Sequence, residues 1–201
     1  FVDIGANIGI MSKCLLNNKI KLSNTYCVEP NQENYFCLKN NLKDYKNIKF
    51  FNFALSTKKE DKKLFIDKNN MGNLSFYYEM VKRDKLGFMN SPGNYEITKC
   101  ESTQKFFRSI KLKKNIIKID TQGYDEIIFQ EIPKSVLKKN QILIIEITPI
   151  NEKKINFSKY RENLNFYKKF TDFDGNIYSK DQVIELSKKT KGKNIDLIFL
   201  K

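Results

Sequence analysis

The first thirty residues contain side chains whose types and spacing suit the binding of a nucleotide cofactor. Gly5 and Gly9 lack a Cβ atom, which suits a tight turn and a close approach of the backbone to a ligand. Asn7, between them, is one of the few non-glycine types that adopts a left-handed conformation at little cost. Glu29 follows the glycines by about 20 residues, where nucleotide-binding folds place an acid that accepts hydrogen bonds from ribose hydroxyls. This spacing predicts an adenosine-containing cofactor.

A general base would have to come from a side chain other than histidine, because the chain contains none. Lys118 and Asp120 are two residues apart in an apolar run, so both lie on the same face of a predicted strand. Glu146 interrupts a second apolar run in the same way. All three are candidate catalytic residues. The alternative for Lys118 and Asp120 is a structural ion pair, since an acidic partner would keep the lysine protonated.

These residues lie at the ends of predicted strands, in a chain where strand and helix patterns alternate. The pattern predicts strands at 1–4, 25–28, 48–53, 115–120, 141–148, 170–173 and 195–200, helices at 8–18, 32–42, 101–110, 157–167, 179–188 and from 124 onward, and a turn at 174–176. Such alternation predicts an α/β fold, with a mostly parallel sheet covered by helices on both faces. Because parallel strands end at one edge of a sheet, we expect the acids to converge there.

The length and composition predict one domain over residues 1–201, since a chain of 201 residues can bury a full core. Within it, segment 58–100 has short strand-like pieces around residues 71–73 and 91–93, and we interpret it as an insertion or lid. Asn73 and Ser75 would belong to that lid or to a plain surface hairpin. The chain begins inside a strand pattern, so we expect its natural start to lie upstream.

The net charge of +14 raises the possibility of a nucleic-acid-binding domain. Only three of the 37 basic residues are arginine, the side chain best suited to phosphates, so a solvated lysine surface is favoured. The longest apolar run, at 142–150, is too short to span a membrane. No C-x-x-C pair occurs, which favours buried free thiols in the reducing cytoplasm over zinc or disulfides. The cysteines are Cys14, Cys27, Cys37 and Cys100.

Five segments occur in the order and at the spacing of one enzyme family. They are FVDIGANIG at 1–9, EPN at 29–31, NFALS at 52–56, IKIDTQG at 117–123 and LIIE at 143–146. Together they resemble the FkbM-type S-adenosylmethionine-dependent methyltransferases, a branch of the Rossmann-like class. The resemblance implies a seven-stranded sheet in the order 3-2-1-4-5-7-6 with the last strand antiparallel. It also implies S-adenosyl-L-methionine as cofactor and O-methylation of a hydroxyl on a sugar, another secondary metabolite or a glycan.

The resemblance further implies which residues contact the cofactor. The backbone from Gly5 to Gly9 would surround the methionine portion, Glu29 would bind the ribose, and segment 52–54 would meet the adenine. Asp3 would orient the first loop or meet the amino group of the cofactor, and Asp120 would lie beside the pocket. The cofactor-binding residues expected in this way are Asp3, Gly5, Ala6, Asn7, Gly9, Glu29, Pro30, Asn52, Phe53, Ala54 and Asp120.

The loop after the fourth predicted strand departs from the family pattern at two positions. Gln122 stands where many members have an acid, so a carboxylate role does not transfer to it, and Asp125 stands where a glutamate is common. Tyr124 and Asp125 open the next helix and would line the acceptor pocket. Asp120, Asp125 and Glu146 could supply oxygen ligands, but their spacing predicts no metal site.

Two other enzyme classes share parts of this pattern. A nicotinamide-dependent oxidoreductase is the nearest alternative, but it would show G-x-G-x-x-G where this chain has G-x-x-x-G. It would also need a Tyr-x-x-x-Lys pair on a helix placed to reach the site, and we find none. A nucleobase N-methyltransferase would carry an Asn/Asp-Pro-Pro-aromatic turn where this chain has DTQGY at 120–124.

Overall fold

The computed structural model describes residues 1–18, 20, 22–67, 70, 72–82, 94–151 and 153–201. Its strands are β1 (Val2–Ile4), β2 (Thr25–Val28), β3 (Ile48–Phe51), β4 (Ala54–Ser56), β5 (Glu60–Ile66), β6 (Leu74–Ser75), β7 (Tyr95–Ser102), β8 (Asn115–Ile119), β9 (Asn140–Ile147), β10 (Lys169–Asp172), β11 (Ile177–Tyr178) and β12 (Ile195–Leu200). Its helices are α1 (Ile10–Asn17), α2 (Gln32–Leu42), α3 (Tyr78–Lys82), α4 (Thr103–Ser109), α5 (Asp125–Gln130), α6 (Lys134–Leu137), α7 (Phe157–Leu164) and α8 (Lys180–Lys188).

The larger sheet has eight strands in the order β11-β10-β12-β9-β8-β1-β2-β3. Strands β3, β2, β1, β8 and β9 pair in parallel, whereas β12 is antiparallel to both of its neighbours. The expected seven-stranded sheet is therefore corrected to an eight-stranded mixed sheet. The turn at 174–176 adds β11, because Gly175 takes a φ of 88° and the Asp172 side chain accepts the Asn176 N–H at 2.8 Å.

A second sheet has four strands in the order β4-β7-β5-β6. It contains most of the segment expected as an insertion, but it starts earlier than residue 58. The third strand was predicted to run to residue 53; in the structure β3 ends at Phe51, and Ala54–Ser56 form a separate strand that pairs in parallel with β7, with Ala54 opposite Cys100. Residues 71 and 91–93, around which short strand-like pieces were expected, lie outside the described part of the chain.

Apolar side chains on both faces of the larger sheet form the core. Alternation along β2 sends Tyr26 and Val28 to one face, into the larger core cluster, and Cys27 to the other, with Leu38 and Leu42 of α2. Each fully buried leucine or isoleucine contributes about 1.5–3 kcal/mol. Of the cysteines expected to be buried, Cys27 and Cys100 are, but Cys14 and Cys37 lie at the surface. None of the described helices has the length and apolar character needed to cross a membrane.

Candidate active site

A pocket of about 610 Å³ opens at the carboxyl edge of the larger sheet, where β1, β2 and β8 end. The loops that follow these three strands form one wall, and another is formed by Leu64 and Leu74 of the second sheet with Phe76, which follows β6. Two acids, Glu29 and Asp120, line it among mostly apolar neighbours. A volume of this size, an apolar lining and a few polar groups are the usual features of a small-molecule site.

The loop of residues 5–9 forms a tight turn after β1. Gly5, Asn7 and Gly9 have φ angles of 73°, 49° and 86°, so the left-handed conformation expected at Asn7 is present. A Cβ at Gly5 would lie 1.9 Å from the Asp120 carbonyl oxygen, and one at Gly9 would lie 2.8 Å from Leu38 Cδ1. Both glycines are therefore required by the positive φ angles of the turn and by close packing within the chain, whether or not a ligand approaches the loop.

Glu29 follows β2 and joins two loops at the pocket wall. Its Oε2 accepts the Asn7 N–H at 2.8 Å and its Oε1 accepts the Asn31 N–H at 3.0 Å. The residue is 4% exposed. Burial raises the pKa of Glu29 to about 7, although both backbone hydrogen bonds act in the opposite direction. Because a carboxylate has about four lone-pair positions, Glu29 can still accept hydrogen bonds from a ligand.

Lys118 lies at the centre of a charged cluster beneath the pocket. Its Nζ donates to the Gly5 carbonyl oxygen at 2.7 Å and lies 3.3 Å from Asp3 Oδ1 and 3.4 Å from Asp120 Oδ2. Burial lowers the pKa of Lys118, but the two carboxylates outweigh it and the net shift is upward. The geometry is thus that of the ion pair considered as the alternative, and a protonated lysine cannot act as a base.

Asp3 lies behind the pocket wall and does not line it. Its side chain is fully buried and its Oδ2 accepts a hydrogen bond from Ser12 Oγ at 2.6 Å, which ties β1 to α1. Its Oδ1 has the ion pair with Lys118 but no hydrogen bond of good geometry. Asp3 therefore does not reach the pocket itself and is connected to it by its ion pair with Lys118, which lines the pocket.

Asp120 reaches the pocket directly from the end of β8. Its side chain is 41% exposed, and its Oδ1 accepts a hydrogen bond from Gln122 Nε2 at 2.9 Å. Asp125, by contrast, is fully buried and accepts the backbone N–H groups of Thr121 and Gly123 at 2.9 and 3.0 Å. Burial raises the pKa of Asp125 to about 7, and Asp120 and Glu126 add to the shift. Asp125 holds the loop in place, so it does not line a pocket as expected; Tyr124 does.

The three residues of segment 52–54, which we expected to meet an adenine, each have different surroundings in the structure. Asn52 Nδ2 donates to the carbonyl oxygens of Glu29 and Pro30, each at 3.0 Å, and so holds the turn that carries the acid. Phe53 packs against the rings of Phe51 and Phe106. Only Ala54 of the three lines the pocket, together with Ala6, Asn7 and Pro30 from the other loops.

Glu146, the third candidate base, does not line this pocket. Its Oε2 accepts a hydrogen bond from Thr148 Oγ1 at 2.9 Å and its Oε1 accepts one from Asn194 Nδ2 at 3.0 Å. Burial raises the pKa of Glu146 to about 7, with further contributions from Asp125 and Asp120. The structure therefore brings Lys118 and Asp120 together at the pocket and leaves Glu146 beside it.

Sequence reasoning missed the wall that the second sheet supplies. Leu64 and Leu74 belong to strands whose pairing depends on residues distant in the chain, Phe76 follows β6 directly, and no local pattern marks the three as facing a pocket. Ser75, considered as part of a lid, donates its hydroxyl to the Gln122 carbonyl oxygen at 2.7 Å. The second sheet is thus hydrogen-bonded to the loop that carries Asp120. Within the described residues, no group of three acidic or thiol side chains is arranged to hold a metal ion.

The fold and the pocket define an α/β protein with a candidate ligand site at the carboxyl edge of parallel strands. A family model for the methyltransferase FkbM domain matches residues 3–177. The chain therefore belongs to the FkbM methyltransferase family. A comparison with curated proteins gave no match.

Solved structures give a comparison of the fold alone. The methyltransferase FkbM of Methylobacillus flagellatus KT is similar over 98% of this chain, with a TM-score of 0.56 and 15% identity. The chain spans only 42% of the length of that structure. A putative RNA methyltransferase from Pyrococcus horikoshii aligns with a TM-score of 0.42 and 13% identity, over 100% of this chain and 73% of its own length.

Proposed function

We propose that this protein transfers a methyl group from S-adenosylmethionine to a hydroxyl oxygen of a sugar, another small molecule or a glycan. One observation carries the proposal. Residues 5–8, Glu29 and Asp120, which belong to three of the separate segments that resemble the family, line a single pocket. Because lining residues come from both sheets, we also propose that residues 1–201 act as one domain.

The residues of the pocket fit the chemical groups of this cofactor. Glu29 presents a buried acceptor of the kind that binds ribose hydroxyls. Apolar side chains of Ala54, Leu55 and Leu64 offer an adenine a surface away from water. The backbone N–H and carbonyl groups around Ala6, in the loop after β1, suit the charged amino-acid group of the cofactor. When bound, the cofactor supplies a methyl group on a sulfonium, which is already activated for in-line displacement.

Asp120 is the proposed base in this arrangement. It is the exposed carboxylate at the end of β8, and the acceptor hydroxyl would give up its proton there as the oxygen–methyl bond forms. Lys118 and Gln122 hold the two Asp120 oxygens, so they would position the carboxylate. Glu146 is the second candidate, because its pKa of about 7 suits a base although it lies outside the pocket.

Calorimetry with S-adenosylmethionine and NAD in parallel titrations tests the cofactor. We expect S-adenosylmethionine to bind and NAD not to bind. Glu29→Ala should weaken the binding, whereas Glu33→Ala, which removes an exposed acid from the first turn of α2, should leave it unchanged. Binding of NAD without S-adenosylmethionine would overturn the proposal in favour of an oxidoreductase.

A further inference from the structure

A second cavity, of about 450 Å³, adjoins the cofactor pocket. Phe76 and Tyr124 line both cavities and form the boundary between them. We call the second cavity the lysine–aromatic groove; its defining residues are Lys62, Lys63, Lys154, Phe65, Phe76 and Tyr77. Its volume lies within the range of small-molecule sites.

The groove carries positive charge. Three lysines line it, and none of its described lining residues is acidic. Glu60, outside the lining, lies 3.4 Å from Lys62 Nζ and offsets one of the three charges. Lys63 and Lys154 are exposed, so a ligand in the groove can reach their ammonium groups.

Lys62 is held in a defined place at the boundary. Its Nζ donates to the Tyr124 hydroxyl at 2.7 Å and lies 4.3 Å from the Tyr124 ring centroid and 5.1 Å from that of Phe76. Hydrogen bonding to Tyr124 and the charge of Glu60 outweigh burial and raise the pKa of Lys62, so it is protonated at neutral pH. A fixed cation therefore lies where the groove meets the cofactor pocket.

The partly exposed rings of Phe65, Phe76 and Tyr77 line the groove with these cations, and Tyr124 between the two cavities is buried. The rings of Phe76 and Tyr124 are perpendicular at 89° with centroids 5.0 Å apart, and Tyr77 lies 6.1 Å from Tyr124. Flat apolar rings suit the C–H face of a sugar ring, while ammonium groups suit a carboxylate or phosphate as point charges. A sugar with an acidic substituent presents both surfaces and also carries hydroxyls.

We propose that the lysine–aromatic groove binds the methyl acceptor, and that this acceptor is a sugar bearing a carboxylate or a phosphate. The inference rests on the proposed methyl transfer and adds the class of substrate. The sugar ring would pack on the aromatic rings with its acidic group toward Lys63 and Lys154. A hydroxyl on the same ring would then point past Tyr124 into the cofactor pocket.

Titrations of the 201-residue chain with three sugars followed by ligand-observed NMR test the inference. Glucuronate carries a carboxylate, glucose 6-phosphate carries a phosphate, and glucose is the neutral control. We expect at least one of the anions to bind about tenfold more tightly than glucose, as charge-assisted hydrogen bonds predict. The tighter anion identifies the acidic group. Equal binding of all three, binding of none, or tighter binding of a short single-stranded RNA would overturn the inference.

Substitution of single lysines locates the binding. Lys63→Gln and Lys154→Gln should each weaken binding of the preferred anion about tenfold and leave glucose unaffected. Lys43→Gln, which removes an exposed lysine at the end of α2, is the matched control and should change neither. If Lys63→Gln and Lys154→Gln bind the anion as the wild type does, the groove is not the site.

The same samples separate this inference from the proposed function. S-adenosylmethionine should bind equally well to the wild type and to both lysine variants. Failure of the wild type to bind S-adenosylmethionine would contradict the methyltransferase proposal, whatever the sugar titrations show. Normal cofactor binding without a preference for anionic sugars would contradict only the assignment of the acceptor.

Discussion

The loop at 5–9 and the loop at 120–123 follow neighbouring parallel strands, β1 and β8, and both contain left-handed residues. Each loop donates one or two backbone N–H groups to a buried carboxylate that lies outside it. Glu29 accepts the N–H of Asn7 in the first loop, and Asp125 accepts those of Thr121 and Gly123 in the second. Burial raises the pKa of both acids to about 7.

The two acids differ in access to the pocket. Glu29 lines the pocket, whereas Asp125 is fully buried. Backbone hydrogen bonds and a raised pKa are therefore shared by a candidate binding residue and by a purely structural one. The comparison teaches that a perturbed pKa marks a functional residue only together with access to a cavity.

The two loops also pack against each other at Gly5. Gly5→Ala should disrupt this contact, and we expect it to have the largest effect on stability. The new Cβ would lie 1.9 Å from the Asp120 carbonyl oxygen, at a φ of 73°. We expect a loss of about 3 kcal/mol or more in the free energy of unfolding, measured by urea denaturation. Gly175→Ala is the control, because its φ is 88° but its Cβ would meet nothing within 4 Å. Equal losses in the two variants would show that the loops are not tightly packed.

Asp125→Ala and Glu29→Ala compare the two acids directly. Asp125→Ala leaves two N–H groups without a partner inside the protein, so we expect a loss of about 3 kcal/mol. Glu29→Ala also frees two N–H groups, but beside a pocket where water can replace the acid, and should cost about 1 kcal/mol. Thermal and urea unfolding measure both changes. A larger loss for Glu29→Ala would reverse the assignment of roles.

Asp120→Asn tests whether the second loop also serves the chemistry. We expect turnover to fall about 100-fold, as for loss of a general base, with a much smaller change in cofactor affinity. Single-turnover methyl transfer and calorimetry on the same preparation separate the two quantities. Glu146→Gln should have a smaller effect, since Glu146 lies outside the pocket. Unchanged turnover in Asp120→Asn together with a large loss in Glu146→Gln would move the base to Glu146.

The smallest expected effect is the pH dependence of cofactor binding, which tests the role of Glu29 beside the first loop. The raised pKa of Glu29, about 7, means that it loses its proton as the pH rises through 7. The ionised form is the better acceptor for ribose hydroxyls, so affinity should rise up to about tenfold between about pH 6 and pH 8. Glu29→Gln should bind more weakly and remove this dependence. A pH slope that persists in Glu29→Gln would assign the titration to another group.

Local signals predicted most of the secondary structure of the described chain. Strand β2 and helix α2 have the predicted bounds, because Asn31 caps the helix by accepting the Asn34 N–H at 3.0 Å. Ser179 likewise begins α8 with a capping box. The number of strands in the larger sheet was predicted less well, because β11 joins the sheet only through a two-residue pairing with β10.

The candidate site was predicted in its outline but not in its contacts. Motif spacing indicated Glu29 and Asp120, and both line the pocket. Nothing local shows that Asp3 turns toward Ser12, that Asn52 holds the Glu29 turn, or that Asp125 is enclosed by its own loop. Each of these depends on which neighbour the side chain meets after the strands have paired.

By itself, the sequence determined the alternation of strands and helices, the left-handed turn at Asn7, and the acids that end two of the strands. These features arise from residue types and spacings within a few positions along the chain. Only the tertiary structure decided that β4 joins β7 in a second sheet, that this sheet forms a wall of the pocket, and that three lysines and several aromatic rings line a groove beside it. Those contacts join residues far apart in the chain, so their energy depends on packing that no local pattern encodes.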